Sequence, residues 1–240
     1  MRISLRGSAL VVVMLALAGC SSAPADEPEV TSTAPTAELT LEPMPDPSSV
    51  ASSEVQFTTT LSPEAMLSGA AFGAEGVEPV VTESVDVWAL PESCAADGPS
   101  TAVVSRGVTY GDGAFESTVE TQQLAVFEDA DAAVAEAQRL AEVMSACTPT
   151  DADGQTAYVA EKVAVGAQGT GLAVDYYGTS MTGSVDDALG YYVVTTRRGN
   201  AVTLVGHLGG EASIARSRGD AVASSQAAWG LLCVYDSAGC

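Results

Sequence analysis

Between Ser62 and Tyr235 the apolar residues recur with two different periods. The segments "TAVVSRGVTYG" (Thr101–Gly111) and "FESTVETQQLAVFE" (Phe115–Glu128) alternate apolar and polar positions, as half-buried strands do. Four further strands are predicted at Ala157–Val165, Gly171–Tyr177, Gly190–Arg197 and Ala201–Leu208. In "DADAAVAEAQRLAEVMSAC" the period lengthens: Ala133, Ala137, Leu140, Met144 and Cys147 fall on one helical stripe. An earlier helix is expected from Ser62, where Ser-Pro-Glu supplies a cap and a proline at the first helical position. A last helix is expected from Asp220 to Tyr235, with Val222, Trp229, Leu232 and Cys233 facing inward. About six strands and three helices in this order predict an α+β fold, a mainly antiparallel sheet with helices on one or both faces.

"RRGNAV" (Arg197–Val202) is the clearest turn, with Gly199-Asn200 expected as a two-residue hairpin loop at positive φ. That loop sets Arg198 opposite Ala201, Thr196 opposite Thr203, Val194 opposite Val205 and Tyr192 opposite His207. Val193, Leu204 and Leu208 then lie on the other side of the ribbon, which is expected to face the core.

Upstream the pattern changes character. Arg2 and Arg6 precede an uncharged run from Gly7 to Gly19, which reads as a secretory signal peptide over residues 1–19. The run is shorter than the ~20 residues of a permanent transmembrane helix. It ends Leu17-Ala18-Gly19-Cys20, which looks like a lipobox. Cys20 is therefore expected to be acylated, to become the mature N-terminus and to hold the protein on the extracytoplasmic face of the cell membrane. Residues 20–60 are Ser, Thr, Pro, Ala and acids, with six of the chain's eleven prolines and no basic residue. Such a stretch buries too little apolar surface to offset chain entropy and is expected to be a disordered tether. Residues 61–240 match one domain in size.

The chain carries 31 acidic and nine basic residues, a formal charge of −22, and loss of the signal peptide removes two of the bases. That excess repels nucleic acid and anionic lipid alike, leaving the acyl anchor to hold the membrane. Four cysteines follow Cys20, namely Cys94, Cys147, Cys233 and Cys240. An even number in an exported chain argues for two disulfides. Of the three connectivities, Cys94–Cys147 with Cys233–Cys240 is the expected one. Without a C-x-x-C pair or a second histidine, no metal site and no cofactor are expected. "TPTDADGQ" (Thr148–Gln155) lacks the glutamate that closes a calcium loop, and "GAQGTG" (Gly166–Gly171) lacks the lysine and helix of a phosphate loop.

His207 is the chain's single histidine, so any nucleophile–histidine pair must use it. No G-x-S-x-G elbow accompanies it and no catalytic residue is assigned; the chain is not expected to be an enzyme. Tyr176-Tyr177 and Tyr191-Tyr192 form adjacent pairs on neighbouring strands, one member of each for the core and the other for a cleft. Arg197, Arg198, Arg216 and Arg218 concentrate four of the bases. The hairpin register sets Arg198 on the face of Tyr192 and His207, and with Arg216 these three make the candidate ligand-binding residues. An arginine rim of that kind would favour an anionic head group.

Taken together, the layout from about Ser62 to Cys240 resembles the PknH-like extracellular sensor domain of actinobacterial receptor Ser/Thr kinases and free-standing lipoproteins. The resemblance lies in a short helix before Trp88 and Cys94, a strand pair, "AAVAEAQRLAEVMSAC", the "RRGNAVTLVG" hairpin and a final helix with a cysteine. It implies a disulfide-bonded domain with a central groove for a ligand and no established chemistry. Met144 stands where that family often carries a tryptophan. The family's second bridge usually joins more distant segments than Cys233 and Cys240, which keeps that connectivity open. The expected function is a lipid-anchored extracytoplasmic ligand-binding or sensor-like module, taking an envelope small molecule or lipid head group and signalling through a membrane-protein partner. The alternatives are an envelope structural or protein-interaction lipoprotein, and a hydrolase built around His207.

Overall fold

Seven strands form one antiparallel sheet in the order β1-β2-β3-β7-β6-β5-β4, and two α-helices cover its opposite faces. The strands are β1 (Val80–Thr82), β2 (Val104–Tyr110), β3 (Thr118–Val126), β4 (Ala157–Lys162), β5 (Thr170–Asp175), β6 (Gly190–Arg198) and β7 (Ala201–Gly209). The helices are α1 (Ala130–Ala146) and α2 (Ile214–Leu231). The computed structural model describes residues 56–114, 117–148 and 155–240. The signal peptide, Cys20 and nearly all of the tether lie outside the described residues, as do positions 149–154 of the calcium-loop-like stretch.

The β6–β7 hairpin has the register its loop dictates: Tyr192 pairs with His207, Val194 with Val205, Thr196 with Thr203 and Arg198 with Ala201. Gly199 alone takes a positive φ, of 54°. A side chain there would overlap the carbonyl of Tyr235. Asn200 instead has an ordinary negative φ and is buried, with its N–H groups engaged and its side-chain oxygen left without a partner. Its backbone N–H donates to Tyr235 O, and its side-chain amide donates to Phe127 O and Thr58 O.

Period-two alternation deals the central strands' side chains to two different interiors. Val193, Val202 and Leu204 meet α1, whose stripe of Ala133, Ala137, Leu140 and Met144 is buried as its spacing requires. Trp88 and Phe127 complete that side. Cys94 bonds Cys147, fixing the segment after Trp88 to the end of α1. Tyr192, Val194 and Val205, which face the other way, are equally buried and meet α2. The sheet is sandwiched, within the expectation of helices on one or both faces, and the hairpin's second side is core as well as the side expected to be. Each wholly buried Leu, Phe or Val contributes roughly 1.5–3 kcal/mol by leaving water.

Three elements depart from the pattern reading. The segment from Ser62 forms two single-turn 3-10 pieces, Pro63–Ala65 and Gly69–Phe72, instead of a helix. Its backbone is captured by the sheet: Gln122 accepts from Leu67 N and donates to Ala65 O, while the Tyr110 hydroxyl donates to Leu67 O. The last helix begins at Ile214, six residues earlier than expected, because Ser213 caps it by accepting from Arg216 N. Its inward stripe is Ile214, Ser217, Ala221, Ser224 and Ala228, with Val222 and Trp229 only half-buried. The short edge strand β1 carried no periodic signal. At the C-terminus Cys233 bonds Cys240, so both expected pairings are present.

Candidate functional site

A cleft of about 640 Å³ opens on the α2 face, where the start of β3 and the end of β7 meet the Gly69–Phe72 turn. Its floor is polar. The antiparallel register seats Glu120 of β3 directly beside His207 of β7. The Glu120 carboxylate reaches His207 Nδ1 at 2.6 Å, and His207 Nε2 lies 3.2 Å from Ser224 Oγ on α2. Relative exposures of 8 %, 7 % and 5 % leave this trio almost wholly inside the protein. The Phe72 ring stands edge-on to the imidazole with centroids 6.0 Å apart. Glu211, Asp220 and Arg216 form the rim. Three carboxylates against one guanidinium and one imidazole give the cleft a field that favours neutral or cationic groups.

α2 makes this space by being small. Ser217, Ala221, Ser224, Ser225 and Ala228 face the sheet, so the helix has no large side chain to fill the gap beside His207. Glu120 and Ser224 were not singled out from the sequence. The only signals were the polar start of β3 and a Ser/Ala stripe at helical spacing.

A second cleft, of about 340 Å³, lies at the same end of the sheet and shares Glu211. Tyr176, Tyr177, Leu189 and Leu208 line it. Tyr177 is 63 % exposed, whereas Tyr176 is half-buried and packs its ring 5.9 Å from Tyr191. Burial pushes the Tyr176 and Tyr191 phenols above their ordinary pKa, each helped by its tyrosine neighbours. The turn carrying the two tyrosines is pinned by Asp175, whose carboxylate accepts from Tyr177 N at 3.0 Å and Ser180 N at 2.7 Å. Burial opposes the charge on Asp175, but these N–H groups outweigh it and hold the carboxyl below its ordinary pKa.

The four candidate ligand residues do not converge. His207 and Arg216 share the first cleft, where Arg216 is largely exposed and meets Asp220 at 3.8 Å. Tyr192 is fully buried; its hydroxyl donates to Glu161 at 2.5 Å and Arg218 covers its ring at 5.3 Å. Arg218 also pairs with Glu161 and Asp186, so this network is closed on itself. Burial, reinforced by the Glu161 carboxylate, pushes the Tyr192 phenol upward. Arg198 lies at the opposite end of the hairpin, over Trp229 at 4.4 Å and paired with Asp236 at 3.2 Å. The expectation of one arginine rim is therefore corrected: Arg198 and Arg216 are separated by the length of β7, and both are paired with acids. Gly166–Gly169 of "GAQGTG" lie in the loop between β4 and β5, and Thr170 and Gly171 open β5.

Among the described residues no group of three metal-ligating side chains occurs, and no helix is long and apolar enough to cross a membrane. No protein-family model matches the chain, and no curated protein does. Among solved structures, the chain is similar to the extracellular domain of PknH from Mycobacterium tuberculosis. The alignment covers 68 % of this chain and 92 % of that one, with 15 % identity and a TM-score of 0.46. The likeness is one of fold.

Proposed function

We propose that this chain is an extracytoplasmic ligand-binding, sensor-like module that takes a small polar molecule into the cleft over His207. The supporting observation is the cleft itself, a concave space with a buried polar floor and an aromatic wall, the form small-molecule sites take. Its carboxylates favour a neutral or cationic envelope molecule over an anionic lipid head group. Acylated Cys20 is the proposed membrane anchor, and a membrane protein is the proposed route of any signal. Native mass spectrometry of the full-length protein extracted from its own membrane tests the reading. A retained small molecule, lost in Ala223→Trp, supports it; an empty protein whose unfolding temperature is unmoved by envelope extracts overturns it. Cys20→Ala should release the protein from the membrane, and a variant that still partitions into detergent would sink the anchor.

One observation favours a protein-interaction reading instead. The outer edge of the sheet, at β1, exposes Val80 and Val81 beside Val77. Crosslinking in intact cells separates the two, since an interaction module yields a partner through this edge and an indifferent cleft.

A further inference from the structure

We propose that Glu120, His207 and Ser224 form a nucleophile-activating relay through which Ser224 accepts an acyl group from a small neutral or cationic ester. This goes beyond the binding reading and does not rest on it. Three independent elements, β3, β7 and α2, bring the groups together in the order carboxylate, imidazole, hydroxyl. Glu120 Oε2 lies 2.6 Å from Nδ1 but off the N–H direction, so it acts on the ring as a close charge that favours a proton on Nδ1 and leaves Nε2 as the acceptor for the Ser224 hydroxyl at 3.2 Å. Those are the separations a general base and its carboxylate require, and the carboxylate–imidazole angle is what has to align when a substrate binds. Burial strengthens these interactions by excluding competing water, and the trio borders the cleft of about 640 Å³, so a substrate has a way in.

The chemistry balances without a cofactor. Ser224 Oγ attacks the ester carbonyl and its proton passes to His207 Nε2. The C–O bond to the alcohol then breaks, and the alcohol leaves with that proton. Water, deprotonated by the same imidazole, later frees the acid and restores Ser224. Glu120 acts as a positioning residue, holding the ring and stabilising the imidazolium.

The arrangement also sets a limit. Ser224 lies in the interior of α2, where backbone N–H groups are engaged in the helix, so no pair of them faces the cleft as an oxyanion hole. Each such donor is worth ~10²–10³ in rate. Slow, stoichiometric acylation is therefore expected rather than rapid turnover.

Full-length protein is incubated with diisopropyl fluorophosphate, and the adduct is located by intact mass and peptide mapping. The expected result is a single adduct on Ser224, absent in Ser224→Ala and formed at least ~100-fold more slowly in His207→Gln. Glu120→Gln should slow it less and alter its pH profile, a change a purely structural role would not produce. Ser224→Cys provides a second measurement if the other variants misfold, because His207 should make that thiol alkylate faster than an ordinary buried one. No adduct on the wild type, an adduct on another serine, or ordinary reactivity of the Ser224→Cys thiol overturns the proposal.

Discussion

On the α1 side of the sheet, Trp88, Phe127, Leu140 and Met144 close over the strands, and a disulfide ties the covering segment down. The single buried acid there among the described residues, Glu136, is saturated: Trp88 Nε1 donates to it at 2.7 Å and Arg139 grips both oxygens. On the α2 side the helix offers serines and alanines, and the strands answer with Glu120, Gln122, Thr203 and His207. The same sheet therefore carries a dry, tightly packed layer and a polar, underfilled one. The difference lies in side-chain volume on the two helices. A stripe with leucine and methionine fills its groove, whereas a serine/alanine stripe leaves room for polar groups and an open cleft.

That comparison can be broken most forcefully on the dry side. Trp88→Ala should cost about 4 kcal/mol, since it opens a large cavity and deprives Glu136 of a donor. A loss below 1 kcal/mol in urea denaturation would show that this layer is not the stabilising one. Cys94→Ser should cost about 4 kcal/mol on the chain-entropy account, against roughly 2 kcal/mol for Cys240→Ser, whose loop is much shorter.

Effects on the polar side should be smaller and of mixed sign. Ser225 is fully buried on α2 and its hydroxyl has no hydrogen-bond partner, so Ser225→Ala should leave stability unchanged or raise it slightly. A loss above about 1 kcal/mol would reveal a hidden partner for that hydroxyl. The least effect is expected at the pH extremes. Asp175 has a folded pKa below the ordinary carboxylate value, so its contribution is complete above about pH 4 and disappears as pH falls further. Tyr191, on the dry side, and Tyr192, on the polar side, have raised folded values. Their contributions hold below about pH 10 and decline as pH rises beyond it, where the unfolded phenols ionise first. Tyr191→Phe and Tyr192→Phe should each flatten that alkaline decline.

What could be read from the sequence follows the range of the interactions involved. The β6–β7 register was legible because a two-residue loop leaves one pairing, and α1 because its stripe is strongly apolar. The start of α2 was hidden by Gly219, which interrupts the helical pattern although Ser213 had already capped the helix. The Ser62–Phe72 region carried a good helix signal and lost it to Gln122 and Tyr110, side chains whose arrival depends on the assembled sheet. His207 was visible as a lone histidine. Its partners were not, because Glu120 reaches it only through β3–β7 pairing and Ser224 only through the docking of α2. The arginines were visible by composition, but composition does not reveal which end of a strand each one occupies.

The clamp around Asn200 and Tyr235 has a mechanical consequence. Asn200 holds Thr58 O, while the Tyr235 hydroxyl accepts from Ser62 N and donates to Thr60 O. The polypeptide thus enters the domain at the tip of the β6–β7 hairpin, beside the Cys233–Cys240 loop. His207 lies six residues along β7 from Ala201, about 20 Å away at the rise of an extended strand. Tension applied through the leading segment would load the hairpin tip first and reach the mouth of the cleft only through the length of the central strands. The Thr58–Ser62 attachment and the cleft over His207 are at opposite ends of the central strands, so a load on one need not disturb the other.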